Sequence, residues 1–180
     1  MLSLIVSVTS AQKNKLYLSA QAGILTGDHA ACAQAVLSGG LMRKNMDVGI
    51  GVATDNYKLR TLPVFAELKR YFRLDDLLLF GYTHLGYNIV IPADDQYPHI
   101  WGGLNDRFNK GGAYGEIGVG HAFVNRRKRG VTLSVGYSVK TATEKYDEYT
   151  YGMFGNSSIL SERRLVYTFN RIAVRIGYRL

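Results

Sequence analysis

From residue 131 to 139 the chain alternates without a break. Val131, Leu133, Val135, Tyr137 and Val139 are apolar or aromatic, and Thr132, Ser134, Gly136 and Ser138 between them are small. A period of two puts one set on each face of an extended strand and fits no helix. The stretch RIAVRIGYRL (171–180) raises the same question in a harder form. Arg171, Arg175 and Arg179 recur every fourth residue, a spacing that suits one face of a helix and, being a multiple of two, one face of a strand. Ile172, Val174, Ile176, Tyr178 and Leu180 fill the alternate places. The β-branched run within that set favours the strand.

Six further segments show the same period: 15–25, 33–43, 45–54, 61–72, 77–89 and 112–123, with 33–43 alternating least well. In 61–72, Leu62, Val64, Ala66 and Leu68 oppose Phe65, Glu67, Lys69 and Tyr71. In 112–123, Ile117, Val119 and Phe123 oppose Tyr114, Glu116, Gly118 and Gly120. Short connectors fall near 43–45, 73–76 and 125–129, and longer ones at about 26–32, 55–60, 90–111 and 141–164. Twenty glycines and thirteen tyrosines among 180 residues, with three prolines, suit half-buried strands and crowded walls. The pattern predicts an all-β chain: one eight-stranded antiparallel up-and-down barrel over 12–180.

Such a barrel can face water or lipid. A soluble, lipocalin-like barrel turns its polar face outward. Here that face is made of Gly49, Gly51, Gly118, Gly120, Thr132, Ser134, Gly136 and Ser138, small residues suited to a narrow interior. An arginine facing lipid at mid-membrane costs about 2–4 kcal/mol. Arg171, Arg175 and Arg179 are therefore expected to point inward, where they need carboxylate partners. Glu67 and Glu116 are the carboxylates on the polar faces, and Lys69 and Lys140 share that side. The transmembrane barrel is the reading preferred. No run reaches the roughly 18 apolar residues of a membrane helix, which says nothing against strands.

Residues 1–11, MLSLIVSVTSA, are apolar and end in a small-x-small pattern. They read as the end of a secretory signal peptide, with a first strand as the alternative. The net charge of +8 is concentrated in short connectors such as Arg126-Arg127-Lys128-Arg129. These could meet anionic headgroups or simply be solvated. No nucleic-acid motif is present. The single Cys32 excludes an internal disulfide.

GIGVATDNYKLRTLPVFAELKRYF (49–72), GAYGEIGVGHAF (112–123), RGVTLSVGYSVK (129–140) and YTFNRIAVRIGYRL (167–180) resemble the small outer-membrane β-barrel proteins of Bacteroidota, similar in architecture to barrels of the OmpA/OmpX type. The resemblance implies fold and location: the bacterial outer membrane, long loops outside, short turns and both termini periplasmic. It implies little about activity.

The luminal charges, Glu67, Lys69, Glu116, Lys140, Arg171, Arg175 and Arg179, read either as a structural plug or as a narrow ion path, and the plug is favoured because eight-stranded interiors are filled by side chains. A lipid-modifying enzyme would need Ser, His and an acid together near the outer rim. His84 falls mid-strand on the luminal face, His121 on the outward face, and His29 and His99 in connectors, with no serine at a recognisable spacing. No enzyme activity, cofactor or metal site is expected. Asp94, Asp95, Tyr97 and Trp101 in the 92–112 connector are candidate binding residues for a ligand or an envelope protein partner, with a membrane-interface loop as the alternative. Tyr71, Phe72, Phe123 and Tyr178 are expected to form an aromatic girdle above the short turns, against outer-membrane lipid.

Overall fold

The computed structural model describes residues 15–27, 30–56, 59–91, 108–125, 129–151 and 158–180, with backbone alone at 108–109, 144–151 and 158–163. Residues 1–14, and with them the expected leader, lie outside the described residues. Eight strands follow one another: β1 (Lys15–Gly27), β2 (Ala30–Arg43), β3 (Met46–Asp55), β4 (Thr61–Leu74), β5 (Leu77–Val90), β6 (Phe108–Val124), β7 (Gly130–Tyr151) and β8 (Ser158–Arg179). Each pairs antiparallel with the next, and β8 pairs with β1, so the sheet closes into a barrel. The closing ladder runs from Ser19↔Arg179 to Thr26↔Ile172, and the Leu180 N–H donates to the Leu18 carbonyl at 2.9 Å.

The register fixes the girth. One circuit of paired residues starts at Lys15, passes Met42, Asp47, Lys69, Tyr82, Gly118, Gly136 and Ala173, and returns to β1 at Leu25, ten residues further along the strand. A stagger of that size over eight strands tilts them by roughly 40° and leaves an interior just wide enough for side chains.

Alternation sorts the residues. Ile24, Ile50, Leu85, Ile117 and Val174 are exposed on the outer wall, whereas Tyr17, Phe65, Tyr82 and Tyr114 are buried inside. Even β2, with the weakest pattern, places Gln34, Val36, Ser38 and Met42 inward and Leu37 and Leu41 outward. The large inward rings need small neighbours. A Cβ on Gly118 would stand 2.6 Å from the Tyr82 ring, and one on Gly51 2.7 Å from Phe65. Both glycines are the cross-strand partners of those rings and make room for them to lie flat over the adjacent strand.

Two expectations about connectors fail. The 26–32 connection is not long, since β1 and β2 stay paired to Gly27↔Ala30. Nor is 141–164 a loop: the β7–β8 ladder continues through Glu144↔Leu165 to Tyr151↔Ser158. β1 stops at Gly27, so this hairpin runs on past the end of the closing ladder. Beyond the rim neither face has to be apolar, so the ladder persists where the alternation in sequence fades.

The outer wall makes a testable prediction. Val174→Arg should destabilise the barrel in lipid vesicles by about 2–4 kcal/mol, read from urea unfolding. Stability equal to that of the unsubstituted protein would argue that Val174 does not face hydrocarbon.

Candidate functional site: the charge-filled lumen

Among the described residues, five cations and four carboxylates are buried inside the barrel: Lys69, Lys140, Arg171, Arg175 and Arg179 against Asp47, Asp55, Glu67 and Glu116. They form four clusters, each centred on one carboxylate.

At the short-turn end, Asp47 Oδ2 lies 2.8 Å from Arg179 Nη1 and accepts a 2.9 Å hydrogen bond from the Tyr71 hydroxyl. Arg179 Nη1 also donates to the Tyr71 oxygen. In the second cluster Glu67 pairs with Lys69 at 2.9 Å and accepts from His84 Nε2 at 2.9 Å, from the Tyr17 hydroxyl at 2.7 Å and from Ser38 at 3.1 Å. In the third, Glu116 pairs with Arg175 and accepts from the Tyr82 and Tyr114 hydroxyls at 2.7 and 2.8 Å. Arg175 Nε reaches Gln34 at 2.9 Å. The fourth, towards the long-connection end, joins Asp55 to Arg171 and to Lys140, the latter at 2.9 Å. Lys140 also donates to Thr61, and Arg171 to Ser138, each at 3.0 Å.

Register aligns members of three of the clusters. Glu67, His84, Glu116, Ser138 and Arg171 are successive partners across β4 to β8, one inward row running around the wall. Aromatic rings fill the space between clusters: Phe65 stacks on His84 with centroids 4.3 Å apart, and Tyr82 lies 4.9 Å from the same imidazole. Each carboxylate takes at least two charged or hydroxyl donors, the condition under which buried charge is tolerable.

The seven charged residues singled out in the sequence all lie in this lumen. Two carboxylates were missed. Glu67 and Glu116 are not the sole acids on the inner face, because Asp47 and Asp55 are fully buried there. Both have the parity of Gly49, Gly51 and Ala53, so extending that set by one step at each end would have found them. Tyr71 is a correction of another kind. It does not join an outer girdle, because its parity is that of Glu67 and Lys69 and its hydroxyl is engaged inside by Asp47 and Arg179. Phe72, Phe123 and Tyr178 are exposed on the outer wall near the short turns. Asp94, Asp95, Tyr97, Trp101, His29 and His99 lie outside the described residues. His84 and Ser38 both contact Glu67, but His84 Nδ1 meets no hydrogen-bond partner among the described residues, so no hydroxyl–imidazole–carboxylate relay is built there.

No protein-family model matches the chain, and no curated protein matches it in sequence. Solved structures do share its fold. The outer membrane protein AlkL, determined by solid-state NMR in DMPC lipid bilayers, is similar with a TM-score of 0.51 and 10% identity, covering 100% of this chain and 97% of that one. The outer membrane protein OprG from Pseudomonas aeruginosa is similar with a TM-score of 0.56 and 13% identity, covering 92% of this chain and 94% of that one. At such identities the likeness is one of fold: a closed barrel of the kind found in outer membranes.

The pairing has a measurable consequence. Glu116→Ala leaves Arg175 buried without its carboxylate, a loss of about 3–5 kcal/mol. Adding Arg175→Met should restore a large part of it, because the double variant buries no lone charge. A urea-unfolding double-mutant cycle in lipid vesicles checks this, and additive losses would show that the two side chains do not act as a pair.

Proposed function

We propose that this protein is an outer-membrane barrel with a structural or protein-interaction role, one that neither conducts nor catalyses. The observation that carries this reading is the lumen itself. Fully buried Glu67, His84, Lys140 and Arg171 are bound to one another's neighbours across the interior, and rings occupy the space between them. Charge inside and an apolar wall outside, with Leu18, Ile50, Leu85 and Ile117 exposed, support placement in lipid. The fold shared with AlkL and OprG supports the bacterial outer membrane. The resemblance of four strand segments to small Bacteroidota barrels of OmpA/OmpX architecture supports it too. In this reading residues 1–11 are the end of an export leader, the short turns and both ends of the barrel chain face the periplasm, and the longer connections face outward.

The interaction surface proposed is the β7–β8 ribbon, which continues past the closing ladder of the barrel. A two-stranded ribbon that continues beyond the closing ladder offers its backbone to another envelope protein from a rigid scaffold, the arrangement on which binding segments are commonly presented. Replacing residues 146–163 by a tight turn should leave heat-modifiable gel migration intact and abolish cross-links to other envelope proteins in native membranes. Unchanged cross-linking would remove the ribbon from the proposal.

One observation favours a second reading. Arg171, Arg175 and Arg179 line one wall from the long-connection end to the short-turn end, as a narrow ion path would require. Planar-bilayer recording separates the two. The expected result is no unitary conductance from the unsubstituted protein and none from Glu116→Ala. Steady open-level currents from either would replace the non-conducting reading with a narrow channel.

A further inference from the structure

Charge is kept largely inside the barrel, yet Arg70 is exposed on the outer wall, between Leu68 and Phe72 on the outward face of β4. It lies one outward step further from the short turn than Phe72. Among the described residues its guanidinium meets the Phe72 ring, 5.6 Å from the centroid, and no carboxylate. The inner arginines have Asp47, Asp55 and Glu116 as partners. An arginine so close to hydrocarbon is costly unless its flexible stem carries the charge to the headgroups, where it can meet an anion.

Beside Arg70 lies a groove of about 510 Å³ across β4 to β6, lined among others by Leu68, Gly81, Thr83, Ile117 and Val119. Gly81 is the cross-strand partner of Arg70, and Val119 that of Gly81. Leu68, Thr83 and Ile117 form the next outward row, away from the short turns, so the groove extends from the arginine towards the middle of the wall. Packing does not require the glycine at 81. Beyond its chain neighbours, an added Cβ would come no nearer than 3.9 Å to any atom, in contrast to Gly51 and Gly118, where a ring stands in the way. The bare position keeps the groove open between Arg70 and Val119.

We propose that this part of the outer wall is a binding site for one anionic phospholipid, with its phosphate on Arg70 and one acyl chain along the groove over Gly81. A cation without a carboxylate at one end of an apolar groove is matched by a ligand with the complementary two parts, an anionic head and a hydrocarbon tail. The guanidinium can donate two parallel N–H groups to two phosphate oxygens. Arg43, exposed at the end of β2, favours a lipid of net negative charge over a zwitterionic one. It belongs to the same outward row, Arg43↔Met46↔Arg70, so the two arginines stand about 10 Å apart, two strand spacings. The inference rests on placement of the barrel in lipid and is independent of whether the lumen conducts.

Native mass spectrometry of the full folded chain, released from maltoside micelles with added phosphatidylglycerol, counts the lipids retained. The unsubstituted protein should retain one saturably, and should hold phosphatidylethanolamine with the same chains more weakly. Arg70→Gln should weaken phosphatidylglycerol binding about fivefold, the loss expected for one cation at a membrane surface. Gly81→Leu keeps both arginines but fills the groove, and should lower occupancy at a fixed lipid concentration. Arg129→Gln removes an exposed charge at the same end of the barrel, outside the groove, and should leave binding unchanged. Heat-modifiable migration checks the folding of each variant. If Gly81→Leu loses it, the comparison of Arg70→Gln with Arg129→Gln carries the test. Equal binding by these two variants, undiminished binding by folded Gly81→Leu, or equal retention of the two lipids overturns the site. A chain that stays monodisperse without detergent overturns the membrane placement, and the site with it.

Discussion

A strand whose outer face meets hydrocarbon can pair its N–H and C=O groups only with neighbouring strands. Everything else in this structure follows from that requirement. An open sheet would leave two bare edges, so β8 must return to β1, and it does so from Ser19↔Arg179 to Thr26↔Ile172. Closure with a stagger of ten residues then sets the girth, and the girth decides what can lie inside. Large inward rings fit only where the adjacent strand is bare at the paired position. This is why Tyr82 lies against Gly118 and Phe65 against Gly51. The glycine content is thus a consequence of packing rather than of flexibility.

Closure also explains the charges. An inward-facing arginine escapes the cost of lipid but enters a region with little water, where only specific partners offset its desolvation. Five cations share four carboxylates, and hydroxyls of Tyr17, Tyr71, Tyr82, Tyr114, Thr61 and Ser138 supply further contacts. Such an interior also fixes register. A slip of one residue in β8 would carry Arg171, Arg175 and Arg179 together to the outer wall and Ile172, Val174 and Ile176 to the lumen. The ion pairs therefore specify the alignment of the last strand as much as they fill the space.

The fold was legible because period two is a local property. VTLSVGYSV and RIAVRIGYRL announce strands without any knowledge of their neighbours, and the direction of their arginines follows from the cost of charge in lipid. Asp47 and Asp55 were legible by the same rule and were overlooked only because the alternation was not carried to the strand ends. Tyr71 is instructive because its parity and its chemistry compete: tyrosine suits an interface girdle, but its neighbours Glu67 and Lys69 already place that side of β4 inside. The β7–β8 extension was hidden for a different reason. Outside the rim no environment imposes alternation, so pairing continues with no signature in composition. The joining of Glu116 to Arg175 rather than to another cation depends on register and tilt around the whole ring, which no single segment contains.

The four clusters differ in what their position permits. Glu67 and Glu116 each take donors from three or more strands, Asp55 is held from β7 and β8, and a change at any of them disturbs closure itself. The Asp47–Arg179 pair borders an open recess at the short-turn mouth. Its guanidinium is held at Nη1 by Asp47 and Tyr71 and lies between the Tyr17 and Tyr71 rings, while Nε and Nη2 are buried with no acceptor among the described residues. Depth along the barrel axis thus grades the pairing. Carboxylates in the middle gather donors from strands all around the wall, whereas the pair at the mouth is held from one side, so the middle of the barrel carries more of the cost of burying charge and more of the specification of register.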